Sequence, residues 1–187
     1  MAIKIVLDPG HNPQGVNAGA EGFGYREQDL VYEVAQRLAT LLRENGNFDV
    51  RLTRNSPTEV LGTSNASSLQ ERVRIANSWP ADYFISIHAN ASVNPEAKGA
   101  EVYTYSDSGP AHELALFLQQ ALVEEMGMKN LGVKTNPSLY VLRKTTMPAV
   151  LVELGFITNA EDVEKLANNP DGFAQALYNG ILRYFGL

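Results

Sequence analysis

The chain has three histidines, at positions 11, 88 and 112, and no cysteine. Thiolate ligation and disulfides are therefore excluded, and a tightly held metal would need imidazole or carboxylate donors. His11 lies just beyond the apolar run Ile3-Lys4-Ile5-Val6-Leu7 and its breaker Asp8-Pro9-Gly10, and His88 ends a second run, Tyr83 to His88. Glu153 ends a third, Ala149 to Glu153. In mostly parallel α/β sheets, ligand sites collect outside the carboxyl ends of the strands. Polar residues at three such ends can meet in one cleft. Glu27, at the front of a helix that follows a loop containing Gly15, Gly19, Gly22 and Gly24, reaches the same edge. Two imidazoles and a carboxylate are the three-ligand set of a catalytic zinc, with the fourth position left for water.

Each residue also has a plainer reading. A histidine at a strand end is often hydrogen-bonded structure, and a glutamate in a first helical turn is favoured by the helix dipole alone. Glu153 is harder to place so simply, because a carboxylate ending an apolar strand is costly to bury without a partner. Either a metal site or a nearby Arg supplies that partner. His112, near the start of an amphipathic segment, reads as solvated. Arg54 and Arg72 read as structural ion-pair partners, and Asn90 as a strand-end hydrogen-bonding residue that could also touch substrate.

The elements that must hold these residues alternate between β-branched apolar runs and segments of helical period, which points to a sheet with helices on its faces. Strands are expected at 3–7, 48–53, 83–88, 99–105, 138–142 and 149–153. The first helix starts near Arg26 or Glu27, buries Leu30, Val31, Val34, Leu38, Leu41 and Leu42 at spacings of three and four, and stops at Gly46. A short helix reaching Ser78 is expected to be capped by Ser68 with Glu71. Further helices are expected at 111–126, in a short stretch capped by Thr158 with Glu161, and at 173–185. Asn55 to Ser67 reads as a polar loop.

With 187 residues and no repeat, low-complexity tract or linker, residues 1–187 read as one domain. The net charge of -6 and scattered Lys and Arg argue against nucleic-acid binding. No apolar stretch is long enough to span a bilayer, and the first residues read as a strand rather than a signal peptide.

Taken in order, several segments resemble the zinc-dependent N-acetylmuramoyl-L-alanine amidases of the amidase type 3 group. They are Ile5-Val6-Leu7-Asp8-Pro9-Gly10-His11, Gly24-Tyr25-Arg26-Glu27, Leu52-Thr53-Arg54, Glu71-Arg72 through Ala76-Asn77, Ala81 to Asn90, and Met147 to Asn159. The resemblance covers nearly the whole chain and implies a twisted, mostly parallel central sheet flanked by helices on both faces. It implies one Zn2+ held by His11, Glu27 and His88, with Glu153 as the catalytic carboxylate. It also implies hydrolysis of the amide between N-acetylmuramic acid and L-alanine in peptidoglycan, in the cell wall or as an endolysin released from the cytoplasm. A zinc peptidase cutting within the stem peptide, a non-catalytic wall-binding module and a purely structural domain are the competing readings. Two positions depart from the family pattern: Asn12-Pro13 stands where glycines are common, and Leu131 where an Arg is common. A monomer without a built-in wall-binding domain is expected. Because only Ser106-Asp107-Ser108-Gly109-Pro110 joins the fourth strand to its helix, a cleft free of an inserted helical plug is expected too.

Overall fold

A computed structural model describes residues 2–187. Six strands form one sheet in the order β4-β1-β5-β8-β6-β7, comprising β1 (Ile3–Pro9), β4 (Phe48–Leu52), β5 (Tyr83–Asn90), β6 (Ala100–Thr104), β7 (Asn130–Thr135) and β8 (Ala149–Phe156). The first four strands in that order are mutually parallel, whereas β6 is antiparallel to β8 and parallel to β7. Two very short strands, β2 (Glu21–Gly22) and β3 (Tyr25–Arg26), make a hairpin inside the glycine-rich loop.

The side chains of the central strands alternate between two layers, as the pleat requires. Ile5, Leu7, Ile85, Ile87, Val150 and Val152 face the larger core, covered by α1 (Glu27–Asn45), α3 (Pro110–Met126), α5 (Ala160–Asn168) and α6 (Pro170–Phe185). Val6, Phe84, Ala149 and Leu151 face a smaller core under α2 (Asn65–Ser78) and α4 (Tyr140–Lys144). Among the described residues no helix is long and apolar enough to cross a membrane.

Several expectations need correction. The helix reaching Ser78 begins at Asn65, capped reciprocally by Ser64 and Ser67 rather than by Ser68 with Glu71. Ser68 is buried inside it and accepts a hydrogen bond from Asn17. Residues 138–142 are not a strand. The chain turns at 136–139 and enters α4, whose Val141 and Leu142 fill the smaller core. A five-residue helix is too short to display a 3.6 period, so its apolar run resembles a strand. The sheet's last strand is instead β7, an edge strand interrupted by Gly132 at φ 84° and carrying little apolar alternation. The short helix after β8 is capped by Asn159, which accepts from the amides of Glu161 and Asp162, and not by Thr158.

Candidate metal centre and its surroundings

The strand register lays a polar row across one face of the sheet. His88 on β5 sits directly opposite Glu153 on β8, and Glu153 is opposite Glu101 on β6. This is the face of the smaller core, one step beyond the apolar packing of Leu151. The row lies toward the carboxyl ends of β5 and β8, next to the loop that leaves β1.

Glu27 enters from the other layer. It is the first residue of α1, its amide donates to the Ala20 carbonyl, and its carboxylate turns over the sheet edge. Glu27 Oε1 lies 3.1 Å from His11 Nε2 and 3.0 Å from His88 Nδ1, and it also accepts from the Ala89 amide at 3.1 Å. Glu27 Oε2 accepts from the Ala20 amide at 3.0 Å. Burial pushes the Glu27 carboxyl up, but hydrogen bonds and charge from His11 and His88 outweigh it and hold the group far below the usual carboxylate range.

His11 has a left-handed backbone, φ 63°, unusual for a residue with a side chain. Its carbonyl accepts from Arg72 Nη2, while Arg72 Nη1 donates to the Pro9 carbonyl and to Asp8 Oδ1. Asp8 also accepts from Thr53 and Ser86, at 2.6 and 2.7 Å. Burial pushes Asp8 up, yet Arg72 and these two hydroxyls hold its carboxyl below the ordinary range. His11 Nδ1 lies 3.3 Å from the Asn17 carbonyl. With a metal ion in place of the Nε2 proton that faces Glu27, Nδ1 would donate there and Nε2 would offer its lone pair to the ion, the usual way an outer partner selects a tautomer.

His11, Glu27 and His88 offer one donor atom each within 4.8 Å of one another. Donors about 2.0–2.1 Å from a tetrahedral zinc are roughly 3.3 Å apart, close to the two contacts described here. Local sequence enforces this approach. A Cβ at Gly10 would lie 2.3 Å from His88 Cε1, so only glycine lets β1 pass the imidazole ring. The residues present thus fit a three-ligand metal site. The two imidazoles are 22% and 18% exposed against 5% for Glu27, so the donor set opens to solvent on the histidine side. A cavity of about 140 Å³ adjoins them, walled by Leu69, Leu139, Val141 and Leu151.

Glu153 is partly buried, and its Oε2 has neither solvent contact nor a hydrogen-bond partner among the described residues. Burial, then the negative charges of Glu27 and Glu101, raise its pKa well above the ordinary value. An orphaned carboxylate oxygen beside a converging donor set is a group without a structural use. The Arg pairing that a structural reading would require is not found among the described residues.

Other sequence-derived residues fall outside the donor set. Asn90 donates to Glu101 at 2.8 Å and accepts from the Ala91 amide at 2.9 Å, so its amide is engaged in holding the strand end. His112 lies in the first turn of α3 and is half-buried rather than solvated, with Nδ1 unpartnered. Arg72 is ion-paired as expected, but Arg54 is not. It is fully buried, donates to the Gln28 carbonyl, and stacks over Tyr32 at 5.0 Å. Burial, then Arg72, lowers its pKa to about 10. Asn12, one of the departures from the family pattern, is buried and hydrogen-bonds Val16 and Leu61, stapling the 53–64 loop to the loop carrying His11. Glu101 escaped the sequence reading. It accepts from Asn90, Tyr103 and Lys134, and its signal was a charged residue at an inward position of β6.

An open α/β sheet bearing a His–Glu–His donor set and a free carboxylate at its strand ends is built as a metal-competent hydrolase fold. Residues 5–183 match the family described as N-acetylmuramoyl-L-alanine amidase, and the chain belongs to that family. It is 40% identical to N-acetylmuramoyl-L-alanine amidase LytC of Bacillus subtilis over 97% of this chain, which spans 35% of LytC's length. Identity to N-acetylmuramoyl-L-alanine amidase CwlM of Bacillus licheniformis is 37% over 99% of this chain and 70% of that protein. Among solved structures, amidase AmiC2 of Nostoc punctiforme superimposes with a TM-score of 0.85 at 35% identity, covering 99% of this chain and 98% of that one. An amidase from Clostridium difficile 630 gives a TM-score of 0.88 at 30% identity, covering 99% and 97%.

Proposed function

We propose that this chain hydrolyses the amide joining N-acetylmuramic acid to L-alanine in peptidoglycan, with one zinc ion held by His11, Glu27 and His88 and with Glu153 as the catalytic carboxylate. The observation that carries the reading is the register pair His88–Glu153, which sets an unpartnered carboxylate oxygen beside the donor set. When bound, zinc supplies electrophilic polarisation of a carbonyl and lowers the pKa of a water toward about 7.

The protein's own groups do the rest. Glu27, whose oxygens accept from the Ala20 and Ala89 amides, would be held anionic by the ion and would offset its charge. Glu153 takes a proton from the attacking water and delivers it to the departing alanine nitrogen, acting as base and then as acid. Its elevated pKa suits the second role, and a cation alongside would draw it back toward ionisation for the first. The apolar wall of Leu69, Leu139, Val141 and Leu151 excludes water from one side of the reacting group. Asn90, engaged with Glu101, supports the strand end rather than the substrate in this reading. The place of action is the cell wall.

The Tyr105–Gly109 connection contains no helix, and because β6 runs opposite to β8 it leaves the sheet away from the Glu153–Glu101 pair. Activity without an activator is the expected outcome. The test is incubation of purified, zinc-loaded protein with isolated peptidoglycan, followed by mass spectrometry of the products. Intact stem peptides beginning with free L-alanine, together with peptide-free glycans, are expected. Fragments cut within the stem would replace this reading with a peptidase, and activity appearing only after an activator is added would refute the open cleft.

A further inference from the structure

Three exposed large apolar side chains sit on two neighbouring segments next to the site. Phe23 is 61% exposed, Tyr25 41% and Val93 fully so. Phe23 and Tyr25 belong to the β2–β3 hairpin, and Val93 to the loop that follows β5. Both segments are fastened to the same turn after β8. Gly22 packs so tightly on the Ile157 carbonyl that a Cβ would lie 2.3 Å from its oxygen, and the Ser92 amide donates to Thr158 Oγ1 at 2.9 Å. The hairpin is also joined to the donor set, since Ala20, just before it, exchanges hydrogen bonds with Glu27, just after it.

The hairpin tip is built against local preference. Phe23 and Gly24 both have positive φ, 53° and 82°, a turn that favours Asn-Gly. A phenylalanine there carries backbone strain, and with most of its ring in water it regains little by packing. The cations of these two segments are already paired, Arg26 with Asp29 at 2.7 Å and Lys98 with Glu161 at 2.7 Å. An anionic polymer or lipid surface therefore finds no free positive charge in those two residues. A neutral ligand with flat apolar faces fits these segments better.

We propose that Phe23 and Tyr25, with Val93 on the adjoining loop, form a stacking platform for the N-acetylated sugar rings of the glycan strand. The platform extends the cleft, and it rests on the amidase reading above. Sugar rings present C–H faces to aromatic rings, and the platform would hold residues of the strand beyond the one attached to the scissile amide.

The test compares wild type with a Phe23→Asn/Tyr25→Ser variant, whose asparagine suits the positive φ, and with Phe23→Tyr, which keeps a ring. Binding is read by chemical-shift titration with a soluble N-acetylglucosamine oligomer, alongside zinc content and melting temperature. Activity is read as the ratio of kcat/KM on long glycan strands to kcat/KM on a single muramyl-peptide unit. The double variant should keep its fold and zinc, bind the oligomer about tenfold more weakly, and lose about tenfold in that ratio, while Phe23→Tyr retains both. Unchanged oligomer binding, or an equal fall on both substrates, would overturn the platform. If wild type cut neither substrate yet bound the oligomer through Phe23 and Tyr25, the amidase reading would fail and the platform would stand.

Discussion

Replacing Arg72 by Met removes a buried guanidinium while keeping much of the side chain's length. Arg72 and Asp8 are each about 1% exposed and 2.6 Å apart. Breaking a buried pair from one side typically costs about 3–5 kcal/mol, because the remaining charge is left uncompensated. The Pro9 and His11 carbonyls would also lose their donor. In a domain of this size each kcal/mol lowers Tm by about 2–4 °C, so a fall of about 6–20 °C is expected. The pH dependence gives a sharper check. In wild type, Asp8 has a depressed folded pKa, so its contribution is present above the unfolded value near 3.9 and is lost as pH falls through the folded one. Without Arg72, burial is opposed only by the Thr53 and Ser86 hydroxyls and by His88, so the folded pKa lies higher than in wild type. Ionised Asp8 is then less well supported at neutral pH, and the difference shrinks as Asp8 is protonated. The gap between variant and wild type should therefore be widest at pH 7 and narrower at pH 4, measured by urea denaturation at both. An Asp8→Asn/Arg72→Met double variant should recover part of the loss but not all, since the two carbonyls remain unserved. A gap under 1 kcal/mol at pH 7, or one that does not change with pH, would refute the argument.

Three further outcomes are expected. Glu153→Gln should fold and retain zinc by metal analysis, yet lose about 100- to 10,000-fold in hydrolysis of peptidoglycan; near-native activity would make Glu153 structural. His11→Ala, Glu27→Ala and His88→Ala should each lower zinc content from roughly one per chain, whereas His112→Ala, on α3 and outside the donor set, should leave it unchanged. Gly10→Ala places a methyl group against the His88 ring and should weaken zinc retention in a chelator competition while the far-ultraviolet circular dichroism stays native.

The donor set was legible in the sequence because its residues sit at or near the boundaries of regular elements, although β5 and β8 run on past His88 and Glu153 to Asn90 and Phe156. Gly10 after β1, the glycine-rich loop before α1 and the long apolar runs of β5 and β8 each announce a boundary. Glu153 stood out because a carboxylate inside such a run has no apolar explanation. What the sequence hid depends on contacts between distant segments. Nothing local says that Arg72 reaches back to the His11 carbonyl or that Asn12 staples the 53–64 loop. Arg54 looked like half of an ion pair, but its partner is a tyrosine ring. The strand assigned to 138–142 failed because a single helical turn carries no period, and β7 was missed because an edge strand half in solvent needs no apolar stripe.

The reversal of β6 has a consequence for anyone wishing to build on this protein. Its carboxyl end, and with it Tyr105–Gly109, leaves the sheet away from the Glu153–Glu101 pair, while the loops after β1, β5 and β8 carry the neighbourhood of the site. This short, exposed, serine-rich connection is a natural attachment point. A fluorescent reporter or an affinity module spliced there would travel with the chain without shading the working face.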